Sequence, residues 1–254
     1  MRRVGEQIAT EGLPASLVPF VCGFAGYGNV GRGAQEIYDQ LPVEEISPAE
    51  LLALDEHDAH VVYKVVFKEV DTVTPRDPAV AFDLAHFFQN PAQYESQFER
   101  FIPRLTLLIN AIYWTAASPR LVTKDYLCQH YSPKLKVIGD ISCDVEGAIE
   151  ATVRSTEPDE PVFVYEPATG ATPAGVAGDG PVIMAVDNLP CELPAESSAE
   201  FSAALRDYVP AIVTADYSVP FADCALPPEI KRAVIAYRGE LTPDYHYIEQ
   251  FLKQ

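Results

Sequence analysis

A short apolar run, Leu17 to Ala25, ends in glycines spaced as Gly26-Tyr27-Gly28-Asn29-Val30-Gly31 and passes straight into an amphipathic stretch. No other feature constrains the fold as strongly. The run is rich in β-formers and lacks polar alternation, the pattern of a parallel strand buried on both faces. Past the glycines, Val30, Ala34, Ile37, Tyr38 and Leu41 share one side of a 3.6-residue helix. Between strand and helix the backbone must turn sharply, which Gly26 permits, and must admit a bulky group, which Gly28 permits. The helix must also lie close on the strand, which Gly31 permits. Such a turn directs free N–H groups and the positive end of the helix dipole at one point, where a phosphate can sit. A glycine-rich turn without a ligand is the competing reading.

The remaining pattern predicts an α/β fold, Rossmann-like and doubly wound, with a mostly parallel sheet and a helical C-terminal extension. Residues 1–16 read as a lead-in helix and turn, 17–213 as the dinucleotide-binding domain, and 214–254 as the extension. Pro42–Ile46 is expected to be the second strand, followed by a capping box, Ser47-Pro48-Ala49-Glu50, with proline at the first helical position. Further strands are expected at Val61–Phe67, Leu105–Trp114, Leu135–Asp144 and Val182–Pro190, with a short arm at Val162–Tyr165. Residues 71–104 form an insertion, helical in parts, that covers the cleft, makes a subunit contact or is a surface excursion. Ser197–Val213 and Pro227–Leu252 read as helical.

Charge limits the partners. With 18 basic and 37 acidic residues the net charge is -19, a surface that repels nucleic acid and anionic lipid. An anionic cofactor must therefore be held locally by backbone amides. The five cysteines are scattered and never paired as CxxC, which points to reduced, mostly buried thiols and a cytoplasmic location. No signal-peptide core or membrane-length apolar run occurs. Asp55, Glu56, His57, Asp58 and His60 crowd together but lack further ligands at regular spacing, so a solvated loop is expected and no metal site.

Cofactor choice is expected at the end of the second strand. Glu45 there favours NAD through a ribose 2′-hydroxyl, whereas Ser47 can accept the 2′-phosphate of NADP, and no arginine nearby in sequence decides between them. In open α/β sheets ligands lie beyond the carboxyl ends of strands. That makes Asn110 to Trp114 a candidate wall of the nicotinamide pocket, with aromatic core filling the alternative for Trp114. By the same rule Asp144 and Asn188 stand at later strand tips.

These motifs together carry a family resemblance. Gly26-Tyr27-Gly28-Asn29-Val30 with Gly33-Ala34-Gln35-Glu36-Ile37, then Ile109–Trp114, Pro119–Thr123, Asp140–Asp144 and Asp187–Pro190, resemble the lysine-ketoglutarate reductase family, which is related to saccharopine dehydrogenases and more distantly to alanine dehydrogenase. The likeness runs from about Leu13 to about Val213. It implies reductive condensation of lysine with 2-oxoglutarate to saccharopine, using NADPH or NADH. It further implies that Asn110, Ile112 and Tyr113 contact the cofactor and that Asp144 and Asn188 flank the nicotinamide. Asp144 then orients the ring or handles protons, with a purely structural carboxylate as the alternative. Relatives place acid/base groups in an N-terminal domain, so a partner domain or a homo-oligomer is expected to complete the site, and Arg120 is the one nearby cation nominated for a substrate carboxylate. The third fingerprint position, often serine in the family, is Gly31 here. Two other readings remain open: a nucleotide-binding or assembly module without catalysis, and an alanine-dehydrogenase-like enzyme with another substrate.

Overall fold

The apolar run becomes the central strand of the sheet. In the computed structural model, which describes residues 1–55 and 57–252, β1 (Val21–Ala25) is buried at all five positions. It starts at Val21 rather than Leu17 because Ala15–Leu17 forms a 3-10 turn. A first helix, α1 (Arg2–Glu11), precedes it, and α2 (Asn29–Tyr38) follows the glycines. The chain continues through β2 (Val43–Glu45), α3 (Pro48–Leu52), β3 (Val62–Phe67), α4 (Glu69–Thr72), β4 (Val73–Pro75), α5 (Leu84–Gln89) and β5 (Tyr94–Ser96). After these come β6 (Leu107–Asn110), α6 (Lys124–His130), β7 (Val137–Asp140), β8 (Val162–Val164) and β9 (Val182–Met184).

Seven of these strands form one sheet in the order β2-β3-β1-β6-β7-β9-β8. Every pairing is parallel except β8 with β9, so the fold is a Rossmann-like α/β sheet. Strand order reverses at β1, which places the ligand-binding crevice outside the carboxyl ends of β1, β3 and β6. The second strand in sequence does not neighbour β1. β2 has three residues with Glu44 and Glu45 exposed, whereas β3 has six residues of which five are buried. A short acidic strand suits a sheet edge and a long apolar one its interior.

Phe67 anchors the core, with ring centroids 4.9 Å from both Phe98 and Phe101; Leu105, Leu108, Ile138 and Ile183 extend that cluster across the sheet. The insertion at 71–104 is helical in parts, as expected, and also carries two short strands. Its β4 and β5 pair as a two-stranded antiparallel sheet, and Val73, Phe87, Tyr94 and Phe82 form a small core of its own. The capping box holds as read, with Glu50 N–H donating to Ser47 Oγ at 3.2 Å and Ser47 N–H to Glu50 Oε2 at 2.7 Å.

The chain divides into two compact units, Met1–Leu189 and Pro190–Gln254, so the division falls before the helix α7 (Pro194–Arg206) rather than after Val213. The second unit also contains α8 (Val209–Thr214), α9 (Pro228–Ala233), α10 (Glu249–Leu252) and a hairpin, β10 (Ala236–Tyr237) with β11 (Glu240–Leu241). That hairpin replaces part of an expected helix. Its turn residues, Arg238 and Gly239, have φ of 52° and 90°, the positive values of a tight hairpin. Among the described residues no helix is long and apolar enough to cross a membrane.

Candidate functional site

The three glycines behave differently, and the difference defines a site. Gly26 has φ +105°, and a Cβ there would lie 2.6 Å from the Ala111 carbonyl oxygen. Gly31 is tighter still, because its Cβ would stand 2.2 Å from the carbonyl oxygen of Gly26. Gly28, between them, would meet nothing within 4 Å. Turn and helix are thus pressed together at two positions and open at the one where a pyrophosphate would approach. Gly28 is also the N-cap of α2 and brings no side-chain cap, so the first amides of the helix are left for water or a ligand.

Two cavities flank this turn. The first, about 410 Å³, is lined by Gly26 to Val30, the tip of β3 (Phe67, Lys68, Glu69), Phe87 and Phe88 of α5, and Ala111 to Trp114. The second, about 340 Å³, lies towards β7 and is lined by Val30, Ala111 to Trp114, Ile141, Ser142 and Asp144. Ala111–Trp114 therefore forms a ridge between two cavities rather than the wall of one. On it Tyr113 is 92% exposed, while the Trp114 indole donates to the Pro119 carbonyl at 3.2 Å. In the first cavity the Tyr27 hydroxyl donates to Glu69 Oε2 at 2.8 Å. That hydrogen bond, with some burial and the carboxylate's charge, raises the tyrosine's pKa.

A buried polar pair supports the ridge from below. Asn110 is fully buried, and its Nδ2 donates to Asp140 Oδ1 at 2.8 Å, while Thr152 Oγ1 donates to Asp140 Oδ2 at 2.6 Å. Burial raises the Asp140 carboxyl above its ordinary value despite these donors. Asn110 Oδ1 has no partner among the described residues. Its side chain is thus a beam under the crevice and lines neither cavity. The carbonyl of Asn110 accepts from Ile141 N–H at 2.9 Å, and Ser142 Oγ donates to the Ile112 carbonyl at 2.6 Å, so ridge and β7 turn are tied together. Cys143, at φ 55°, donates its thiol to the Ala185 carbonyl at 2.9 Å; burial and nearby carboxylates push that thiol up to about 11.

The structure brings Gly26, Tyr27, Gly28, Asn29, Val30, Ile112, Tyr113 and Asp144 to the crevice and leaves the other nominated residues outside its two cavities. Glu45 sits on the edge strand, where its carboxylate pairs with Lys64 Nζ at 2.9 Å. The carboxylate at the tip of the strand next to β1 is Glu69, which a search about 20 residues past the first glycine does not reach. The available signal was the length and mostly apolar character of β3, interrupted by Lys64 alone. Ser47 and Glu45 line a concavity on the other side of that tip together with Arg32 and Lys68, so cations stand near Ser47 that spacing did not reveal. Arg120 is engaged with the Glu146 carbonyl, at 3.3 and 3.1 Å, and lies 3.8 Å from Glu150. Asn188 is exposed at the turn after β9. Asp55, His57, Asp58 and His60 lie on a loop, where His60 Nδ1 is 3.1 Å from the Ala9 carbonyl; Glu56 lies outside the described residues. No cluster able to hold a metal occurs among the described residues. All five cysteines are free, with Cys22 and Cys224 buried, Cys143 partly so, and Cys128 and Cys191 exposed, fewer buried than expected.

Comparison with known proteins agrees with this architecture. The family described as alanine dehydrogenase/PNT, C-terminal domain, matches residues 40–244; the glycine turn lies upstream of the match and stands on its own geometry. The chain is 36% identical to an alpha-aminoadipic semialdehyde synthase of Arabidopsis thaliana, over 98% of this chain and 24% of the relative. It is 33% and 31% identical to the mitochondrial alpha-aminoadipic semialdehyde synthases of Bos taurus and Mus musculus, over 98% of this chain and 29% of each relative. The chain therefore spans roughly a quarter of the length of these relatives.

Proposed function

The chain belongs to the alanine dehydrogenase/PNT C-terminal domain family, and from that premise we propose that it is the nucleotide-binding part of an NAD(P)-dependent oxidoreductase of the lysine-ketoglutarate reductase type. The observation that carries the proposal is the open face at Gly28 between two closed glycines, at the amino end of α2 and the switch point of the sheet. These residues fit a dinucleotide: amides for the pyrophosphate, Glu69 for a ribose, and a second cavity towards β7 for the nicotinamide. When bound, the nicotinamide supplies the hydride that reduces the imine of lysine and 2-oxoglutarate to saccharopine.

This chain's residues bind and orient. Ile112 and Tyr113 present the ridge, and Asp144, at the second cavity, fixes the nicotinamide's position or holds a proton beside it. Lys68 and Arg32 near Ser47 support a 2′-phosphate, whereas Glu69 supports a free ribose diol, so the residues at the tip of β3 select between NADP and NAD. Acid/base groups and the carboxylate binders for the substrate belong to a partner domain. The free cysteines suit a reducing compartment such as the cytoplasm.

Trp114 is the only tryptophan and lines both cavities, so its emission reports the site. Titration with NADPH and NADH is expected to give saturable quenching by at least one of them. Absence of both quenching and calorimetric heat with either would refute the nucleotide site. Turnover of lysine and 2-oxoglutarate by the full-length enzyme then tests the reaction; binding without turnover would favour a non-catalytic module, and turnover of a different keto acid an alanine-dehydrogenase-like enzyme.

A further inference from the structure

The insertion at 71–104 contributes a side chain that the fold itself does not explain. α5 carries two adjacent phenylalanines with different surroundings. Phe87 is buried against Val73, Tyr94 and Phe82 and holds the insertion together. Phe88, its neighbour, is 62% exposed and lines the first cavity together with the glycine turn. Tyr113, the most exposed aromatic residue of the same lining, is 92% exposed.

We propose that Phe88, with Tyr113, forms the seat of the adenine ring, making the insertion a base-binding element; this rests on the nucleotide-binding reading above. Strand topology orients the ligand. In a sheet of this kind the ribose next to adenine lies at the carboxylate tip of the strand beside β1, which here is β3 with Glu69. Adenine therefore continues into the cavity that contains Glu69, and the nicotinamide lies over β6 and β7. Beyond Glu69 that cavity is walled by Thr72, Val73, Phe87 and Phe88, which bring no charge. A flat base whose faces are apolar and polarisable matches such walls, and stacking on an aromatic ring is its usual mode of recognition. The charged lining, Lys68 and Glu69, stands at the tip of β3, where it suits the ribose and leaves the phenylalanines to the base.

Calorimetric titration of the whole chain with ADP, NADPH, NADH and nicotinamide mononucleotide tests this. Phe88→Ala is expected to weaken ADP and the dinucleotide by the same factor, on the order of tenfold. Phe88→Tyr should retain binding within about twofold of the parent, and Phe88→Leu should behave like alanine. Because Phe88 is exposed, the thermal midpoint should stay put, which separates loss of the base from loss of the fold. The inference is overturned if the parent binds dinucleotide and Phe88→Ala binds ADP equally well, or if the loss falls on nicotinamide mononucleotide instead. A parent that binds no dinucleotide would overturn the nucleotide reading itself.

Discussion

Gly28→Ala separates the fold from the site more cleanly than any other substitution in the fingerprint. A Cβ at Gly28 meets no protein atom within 4 Å, and the residue already has φ -71° and ψ -168°, which alanine adopts without strain. The cost to the fold is the loss of a good N-cap residue, about 0.5–1 kcal/mol. The new methyl nevertheless stands where the pyrophosphate should pass, and overpacking of that kind costs about 1–3 kcal/mol, or roughly 5- to 150-fold in affinity. Gly31→Ala provides the contrast. Its Cβ would lie 2.2 Å from the Gly26 carbonyl oxygen and 2.8 Å from the Gly26 carbonyl carbon, backbone atoms that cannot swing aside. Destabilisation of about 3 kcal/mol or more should then lower the melting temperature by roughly 10 °C. Thermal melts paired with calorimetric titration of NADPH and NADH distinguish the two variants. Should Gly28→Ala bind within about twofold of the parent, no pyrophosphate crosses that turn and the fingerprint reading fails.

Three further outcomes follow from the same geometry. Gly33 lies exposed within α2 with nothing within 4 Å of its Cβ position, so Gly33→Ala should stabilise the chain by about 0.5–1 kcal/mol, raising the thermal midpoint without changing nucleotide affinity. Lys68→Ala and Arg32→Ala should each weaken NADPH about tenfold if a 2′-phosphate sits beside Ser47 while sparing NADH; equal losses for both cofactors would place the phosphate elsewhere. Thr152→Val removes the 2.6 Å donor to buried Asp140 and should cost about 1.5–3 kcal/mol at neutral pH. Because the folded-state pKa of Asp140 is raised by burial, its charged form is disfavoured on folding; that cost is absent below the ordinary carboxylate value and complete above the raised one. The penalty of Thr152→Val should therefore shrink in acid, and urea melts showing the same loss at both ends of that range would contradict the argument.

Local signals of fold were legible in the residues; non-local pairings were not. The glycine turn, the capping box at Ser47 and the apolar strands each declare themselves within a dozen residues through periodicity and cap chemistry. The order of strands does not. Glu45 is nominated for a ribose by its spacing, about 20 residues past the first glycine, and that spacing carries no information on strand order. In the sheet β3 intervenes between β2 and β1, Glu45 pairs with Lys64, and Glu69 lies just past the tip of the strand beside β1. The β4–β5 pair escaped for a related reason, since its three-residue strands are separated by α5 and carry no shared turn. At the candidate site, backbone-determined positions such as Gly26, Gly28 and Gly31 could be read directly. Positions that depend on where a side chain points, as for Asn110 beneath the crevice or Arg120 bound to Glu146, could not.

Asn110 shows what the buried pair contributes. A fully buried amide with an unpartnered oxygen beside a buried carboxylate costs stability, and an apolar pair would fill the same space more cheaply. The arrangement does have a geometric consequence. Asp140 receives Asn110 from β6, Thr152 from the segment after β7, and the Cys143 amide at 3.4 Å from its own turn, so three pieces of chain are held to one carboxylate. Two of them carry Ile112–Tyr113 and Ser142–Asp144, the opposing sides of the second cavity. Replacing this network with aliphatic residues would keep the sheet but free the ridge from the β7 turn. The expected sign is a protein as stable as the parent or more so, whose Trp114 quenching by NADPH or NADH loses affinity without loss of fold. Unchanged affinity in such a variant would reduce Asn110 and Asp140 to core polarity with no part in positioning the site.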